Sequence, residues 1–362
     1  MKRDYKGKLN IYKLRLKVIH MRRKNILKNQ CVKKSMIIIS ATIAIVLVFT
    51  AVVAYKMTIR SQDKCDKDYS QYRDERALAE VIKKEIEGYK KDDINSDVKI
   101  LDMSKRHYFL ERLRGVTYIE PKEIEYFSKV TGTKRKATVI LPKGYDPKRE
   151  YPLMIAMHGY QGSDKTWINS NLHVMLSNMQ RYEKLKDIIV VLPDSNLNQK
   201  NSVFDKNLYD ATLDYDKTEK DLMGSLLPYV KKNYKIKGGR ENAAICGLSL
   251  GGRNALYIGF KNYESFGYIG AFSPEEVVKD REHGNKLPVL LSDFKQAKKS
   301  RDFLLLSVSG GREDDDTGDK TEFIHKRLNM DKVKHTYYLL TGGHSSEVWQ
   351  GSMYNFLRMV FI

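Results

Sequence analysis

The chain has 362 residues, with 65 Lys and Arg against 45 Asp and Glu, and a formal net charge of +20. A hydrophobic content of 41% and 23 Gly exclude a fully disordered, collagen-like or low-complexity chain. Three Cys (Cys31, Cys65 and Cys246) exclude a disulfide framework and any zinc finger or ribbon built on paired Cys.

The charge is concentrated at the start. Residues 1–35 hold 13 Lys and Arg and a single acid, Asp4, a net of +12, whereas residues 36–55 hold no charged side chain. A helix over Met36 to Tyr55 rises about 30 Å, the thickness of a bilayer hydrocarbon core, and Tyr55 falls where an interfacial aromatic ring is favoured. The sequence therefore predicts a transmembrane helix over 36–55. The basic tail 1–35, with Arg22, Arg23, Lys24, Lys28, Lys33 and Lys34 next to the span, stays in the cytoplasm, and everything after Tyr55 is exported. A cleaved signal peptide, with Val52-Val-Ala54 as its cleavage site, is the competing reading. The long basic leader and an apolar run beyond the ~7–15 residues of a signal h-region favour an uncleaved anchor. Residues 121–362 keep a net of only +7 without a basic stripe, so the membrane and not nucleic acid is the expected partner of the charge.

Residues 56–120 are densely charged, with Gly only at Gly88 and Gly115 and no Pro. Leu78, Val81, Ile82, Ile86 and Tyr89 fall at helical spacing among Lys, Glu and Arg, which predicts an amphipathic helix of about five turns. It reads as a membrane-proximal helical stalk or as a helix packed on the main domain; a dimerisation helix is the other reading.

From 121 to 362 the pattern changes to one α/β domain. Residues 123–130 and 136–141 read as strands of a hairpin. Apolar strand candidates follow at 152–157, 187–192, 242–246, 267–272, 303–308 and 335–340, alternating with helical patterns near 168–183, 217–233, 251–261, 320–329 and 346–359. Continuously apolar strands alternating with helices predict a mostly parallel sheet with helices on both faces.

Chemistry-bearing residues follow the predicted strands. Gly247-Leu-Ser249-Leu-Gly251-Gly252 stands between a strand and a helix. Such a sharp turn needs glycines around it and holds the Ser hydroxyl above a helix N-terminus, where backbone N–H groups favour developing negative charge. His344, in Thr341-Gly-Gly-His-Ser-Ser346, lies in a loop after the last strand and is the candidate base. The acidic run Asp314-Asp315-Asp316 after the preceding strand offers an orienting carboxylate, and the order Ser, Asp, His is the one found in α/β-hydrolases. His158-Gly159-Tyr160-Gln161-Gly162 follows the strand 152–157, and its turn can aim a backbone N–H at the same point as that of Leu250. His158 itself reads as a structural member of this turn.

Residues 123–362 resemble the putative esterase family of α/β-hydrolases, which includes feruloyl and acetyl-xylan esterases, the esterase D group and siderophore trilactone esterases. The resemblance rests on Tyr151-Pro-Leu through Gly162, Gly247–Gly252, Gly270-Ala-Phe-Ser-Pro274, Gly311-Arg-Glu-Asp314 and Gly342-Gly-His-Ser-Ser-Glu-Val-Trp349. It implies Ser249 as nucleophile, Asp314 as triad acid with Asp316 in reserve, His344 as base, and oxyanion N–H groups from Tyr160 and Leu250. Trp349 matches an aromatic near the family's site, as a substrate-binding or packing residue. The implied activity is hydrolysis of a small or carbohydrate-linked ester without metal or organic cofactor. The same triad also serves an acyltransferase with a sugar or lipid acceptor, and a non-catalytic binding module is the third reading.

Overall fold

Runs such as Leu153-Met-Ile-Ala-Met157 and Ile189-Val-Val-Leu-Pro193 carry apolar side chains on both faces, so as strands they must be covered on both sides. The computed structural model describes residues 69–72, 74–91, 99–197, 208–276 and 303–362. The predicted span 36–55 and the basic tail lie outside the described residues, and among the described residues no helix is long and apolar enough to cross a membrane. Residues Lys67–Ile362 form one compact unit.

Two short strands, β1 (Lys90–Lys91) and β2 (Lys99–Ile100), pair antiparallel near the start. The main sheet has eight strands: β3 (Lys122–Ser128), β4 (Thr133–Ile140), β5 (Leu153–Met157), β6 (Ile189–Pro193), β7 (Ala243–Leu248), β8 (Tyr268–Phe272), β9 (Leu305–Gly311) and β10 (Thr336–Leu340). Their order is β10-β9-β8-β7-β5-β6-β4-β3. The first six in this order run parallel, and the hairpin β3–β4 adds antiparallel to β6. The chain moves from β5 to β6 on one side and then crosses to β7 on the other. The gap between the C-terminal ends of β5 and β7 is thus the topological switch point, where open α/β sheets form their binding crevice.

The two-residue period of the strands divides the core. Met154, Ala156, Val190, Leu192, Ala244 and Cys246 join one apolar cluster, which the helices Leu172–Tyr182 and Ser346–Leu357 cover. Leu153, Ile155, Met157, Ile189, Val191 and Ile245 join the other, which the helices Leu227–Asn233 and Leu250–Lys261 cover. This is the α/β-hydrolase-like arrangement. The helical pattern expected near 217–233 starts earlier, at Leu208, and includes a π turn over Leu222–Leu226. Pro228 stands just after that turn, where its missing N–H interrupts the regular ladder least.

The described residues between 69 and 120 are built into this core. Asp74 caps the helix Glu75–Gly88, its carboxylate accepting the Arg76 N–H at 3.0 Å. The apolar stripe expected from the sequence is the buried face: Leu78 and Ile82 pack in the first cluster with Tyr108, Phe109 and the helix Ser346–Leu357. Of the two principal readings of 56–120, the described part follows packing on the main domain. The spacing alone did not reveal that Glu85 shares that buried face, where its carboxylate accepts the hydroxyls of Tyr69 (2.5 Å) and Tyr89 (3.0 Å). Phe109 is fully buried and lies between His107 (ring centroids 5.0 Å) and Tyr354 (4.1 Å). Phe109→Ala is expected to lower stability by about 3–5 kcal/mol, because the site is walled by rings that cannot close the void. An unchanged urea midpoint would show the segment to be dispensable for the fold.

Candidate active site

The strand β7 ends at Leu248 and the helix Leu250–Lys261 begins two residues later, so Ser249 carries the whole reversal. It does so at φ 52° and ψ −121°, a region that L-residues avoid and that costs of the order of 1–3 kcal/mol. Its backbone is fixed on both sides. The N–H donates to the Phe272 carbonyl at 2.9 Å, and the carbonyl accepts from Arg253 (3.0 Å) and Glu275 (3.2 Å). The flanking glycines answer to close approach: a Cβ on Gly247 would lie 2.5 Å from the Gly251 backbone, and one on Gly251 would strike the His158 and Met157 carbonyls. The sequence of the turn is thereby dictated by two backbones crossing beneath the serine.

The loops after β9 and β10 are tied to one another. Arg312 N–H donates to the Leu340 carbonyl at 2.8 Å, Glu313 N–H to the Gly342 carbonyl at 3.1 Å, and Gly342 N–H to the Glu313 carboxylate at 2.5 Å. That brace sets His344 between the two other residues. His344 Nε2 lies 3.1 Å from Ser249 Oγ, and His344 Nδ1 lies 3.1 Å from Asp314 Oδ2. A carboxylate only accepts, so Nδ1 carries the proton and Nε2 is left as the acceptor facing the serine hydroxyl. The three residues selected from the sequence as nucleophile, base and acid therefore meet in one hydrogen-bonded line.

Asp314 is the member of the acidic run that faces His344. It is buried, whereas Asp315 and Asp316 are exposed. Asp316, the reserve acid, instead gives its N–H to Asp314 Oδ1 (3.1 Å) and its carbonyl to Lys320 Nζ (2.7 Å). Asp314 also accepts the Thr317 N–H on Oδ1 (2.8 Å), and Thr317 Oγ1 lies 2.9 Å from Oδ2. Burial alone would raise the Asp314 carboxyl, but the hydrogen bonds from His344 and Thr317 outweigh it and hold the group well below the usual carboxylate range. The acid is thus a fixed negative charge behind the imidazole. Sequence reading missed Thr317; the available signal was its place three residues after Asp314 at the start of the helix Gly318–Met330.

The turn after β5 abuts the same serine. A Cβ on Gly159 would lie 2.6 Å from the Leu248 side chain and 3.0 Å from Ser249 Cβ. Tyr160 and Leu250, expected to supply oxyanion N–H groups, pack together with Tyr215 in one small cluster. Trp349, on the helix Ser346–Leu357, sets its ring edge-to-face against His344 with centroids 5.0 Å apart, and its body also packs on the first core cluster. It thus touches the imidazole and the core at once. His158 is 1% exposed and is engaged within the turn and with Ser195 at the end of β6, away from the serine hydroxyl.

Four similarities to known families and proteins bear on this geometry. The family model described as "Putative esterase" matches residues 128–359. The endo-1,4-beta-xylanase/feruloyl esterase of Xylanibacter ruminicola is 29% identical over 195 residues, 48% of this chain and 25% of that protein, so the chain spans about a quarter of the length of this curated relative. A CE1 ferulic acid esterase from the anaerobic fungus Anaeromyces mucronatus superposes with a TM-score of 0.62 at 27% identity, covering 71% of this chain and 96% of that one. The feruloyl esterase module from Clostridium thermocellum, solved with sinapinate, shares the fold at a TM-score of 0.54 and 16% identity, over 75% of this chain and 96% of that one. Since the family model spans well over half of the residues, the chain belongs to the putative esterase family.

Proposed function

We propose that the chain is a serine carboxylic ester hydrolase that cleaves feruloyl- or acetyl-type esters on carbohydrate, held outside the cytoplasm by a membrane anchor at residues 36–55. The observation that carries the reading is the Ser249–His344–Asp314 line, with both bonds at 3.1 Å and the serine on a strained elbow. His344 Nε2 takes the Ser249 proton as Oγ attacks the ester carbonyl. The backbone N–H groups of Tyr160 and Leu250 hold the oxyanion. The alcohol departs with the proton from His344, and a water activated by the same nitrogen then releases the acid from Ser249. Asp314 keeps the imidazole in the reactive tautomer and balances its positive charge in each half-reaction.

The substrate class is supported by the relatives, whose names specify feruloyl and ferulic acid esterases. The Trp349 ring, which meets that of His344 at nearly a right angle, is an aromatic group beside the base that suits an aromatic acyl or a sugar ring. The anchor is supported by the uncharged run 36–55 behind a basic tail. The full-length chain in detergent is to be tested on acetyl-sugar, feruloyl-sugar, short acyl-glycerol and siderophore lactone esters, with masses read for both products and for the acyl-enzyme. Release of free acid with a transient acyl mass on Ser249 is the expected result. Transfer of the acyl group to an added sugar or lipid alcohol in preference to water identifies an acyltransferase. Absence of any acyl-enzyme, with no labelling of Ser249 by a fluorophosphonate, sinks the catalytic reading.

A further inference from the structure

The peptide that joins Gly159 to Tyr160 has two ends with different tasks. Among the described residues no peptide bond is cis, so the Gly159 carbonyl and the Tyr160 N–H point in opposite directions from one rigid plane. Whatever grips the carbonyl therefore aims the N–H. The grip comes from two donors, with the His158 ring beside them. Gly162 N–H reaches the Gly159 oxygen at 3.0 Å, the Tyr215 hydroxyl donates to it, and His158 Nδ1 lies 2.8 Å from it.

The imidazole proton in this group is assigned by its neighbours. Ser195 N–H, which can only donate, points at His158 Nε2 at 2.9 Å. Nε2 is consequently an acceptor, and the proton sits on Nδ1. The Asp194 carboxylate is farther from Nε2, at 3.4 Å, and the same oxygen already takes both the Asn196 N–H (2.9 Å) and its side-chain amide (2.8 Å). Nδ1–H faces the Tyr215 hydroxyl oxygen at 2.8 Å, which leaves the hydroxyl proton for the Gly159 carbonyl. The result is a directed chain from Ser195 N–H through His158 and Tyr215 to Gly159. Ser195, His158 and Tyr215 are each no more than 1% exposed, so no water competes for these bonds. Hydrogen bonds in series polarise one another, and a carbonyl drawn by two donors makes the N–H of its own peptide a stronger donor.

Tyr215 is also fixed to the nucleophile's helix. Its carbonyl accepts the Asn254 side-chain amide at 2.8 Å, and the adjacent Asp216 pairs with Arg253. Asn254 and Arg253 follow Ser249 in the helix Leu250–Lys261. Both sides of the oxyanion site, Leu250 and Tyr160, are thus referenced to a common support.

We infer that Tyr215 is a positioning residue for the oxyanion hole: its hydroxyl, backed by His158, pins the Gly159 carbonyl and so aims and strengthens the Tyr160 N–H. The inference rests on the reading of Ser249 as the nucleophile of an ester hydrolase. In the full-length chain, Tyr215→Phe keeps the ring and removes only the hydroxyl. It should lower kcat on p-nitrophenyl acetate about 10-fold, less than the loss of a whole oxyanion donor, with KM within about 2-fold. Affinity for phenylboronic acid, whose tetrahedral adduct on the serine places an anionic oxygen in the hole, should fall by the same factor. His158→Leu should reproduce the loss, and His158→Asn, whose amide N–H replaces Nδ1–H, should recover most of it; this pair keeps the test decisive if Tyr215→Phe fails to fold. Unchanged kcat in the folded variants, or a fall in kcat without loss of boronate affinity, overturns the inference. Wild-type protein that hydrolyses no ester faster than Ser249→Ala instead overturns the underlying enzyme assignment.

Discussion

Ser249→Ala is expected to lower turnover of a simple aryl ester by roughly 10³–10⁶-fold while leaving the fold in place. The size of the effect follows from what is lost. Without Oγ no acyl-enzyme forms, and only binding and the oxyanion donors remain to assist direct attack by water. The fold should survive because alanine, like serine, carries a Cβ into the strained conformation at φ 52°, so the strain is unchanged, and the backbone bonds to Phe272, Arg253 and Glu275 do not involve the side chain. Thermal melting of the variant within a few degrees of wild type, together with loss of fluorophosphonate labelling, separates a missing nucleophile from a damaged protein. Near-normal turnover would remove Ser249 from the mechanism.

The parts of the molecule that were legible in the sequence are those governed by local rules. Each of the six apolar runs proposed as strands between 152 and 340 is a parallel strand of the sheet, because a strand buried on both faces needs an unbroken apolar run and few other elements use one so short. Ser249, His344 and the acidic run Asp314-Asp315-Asp316 were legible because each follows a strand, and parallel strands deliver their C-terminal loops to a common edge. Which Asp of the run faces His344 is a different kind of question. Asp314 and Asp316 differ by two positions in a loop, and only the Asp314 carboxylate, wrapped by Thr317, turns inward.

Long-range contacts were not legible. Tyr215 reaches Gly159 across 56 residues, and its hydroxyl looks in sequence like any other tyrosine in a charged helix. Likewise, the segment 69–120 carries the charge density of a solvated spacer, and that composition conceals Tyr108 and Phe109, which are fully buried. A few large rings at irregular spacing seat a segment as firmly as a regular stripe does, but they leave no period to detect. The family model begins at residue 128, so this N-terminal cover lies outside what the matched family defines and belongs to the compact unit that begins at Lys67.

Asp314→Asn should lower kcat by roughly 10²–10⁴-fold, whereas Asp316→Asn should leave it within about 3-fold. The asparagine is the same size, and its carbonyl oxygen can still accept the Thr317 N–H in place of Oδ1. Its NH₂ then occupies the position of Oδ2, 3.1 Å from His344 Nδ1. Two donors cannot face each other, so Nδ1 becomes the acceptor and the imidazole proton moves to Nε2, opposite Ser249 Oγ. In that tautomer the histidine can no longer receive the serine proton. The pH profile of the wild-type enzyme tests the same residue without a mutation. Because the Asp314 carboxyl is held well below the usual carboxylate range, it remains ionised as the medium is acidified and protonates only in strong acid. Protonation of Asp314 therefore adds no second step to the acid limb, and the slope of log kcat/KM there should not exceed one down to about pH 4.5. A folded-state value below the unfolded one also means that the contribution of Asp314 to stability is complete above the ordinary carboxylate range and is lost only as pH falls through the depressed value. A slope of two in the acid limb, or equal losses from Asp314→Asn and Asp316→Asn, would show that the buried carboxylate is not the group that holds the base.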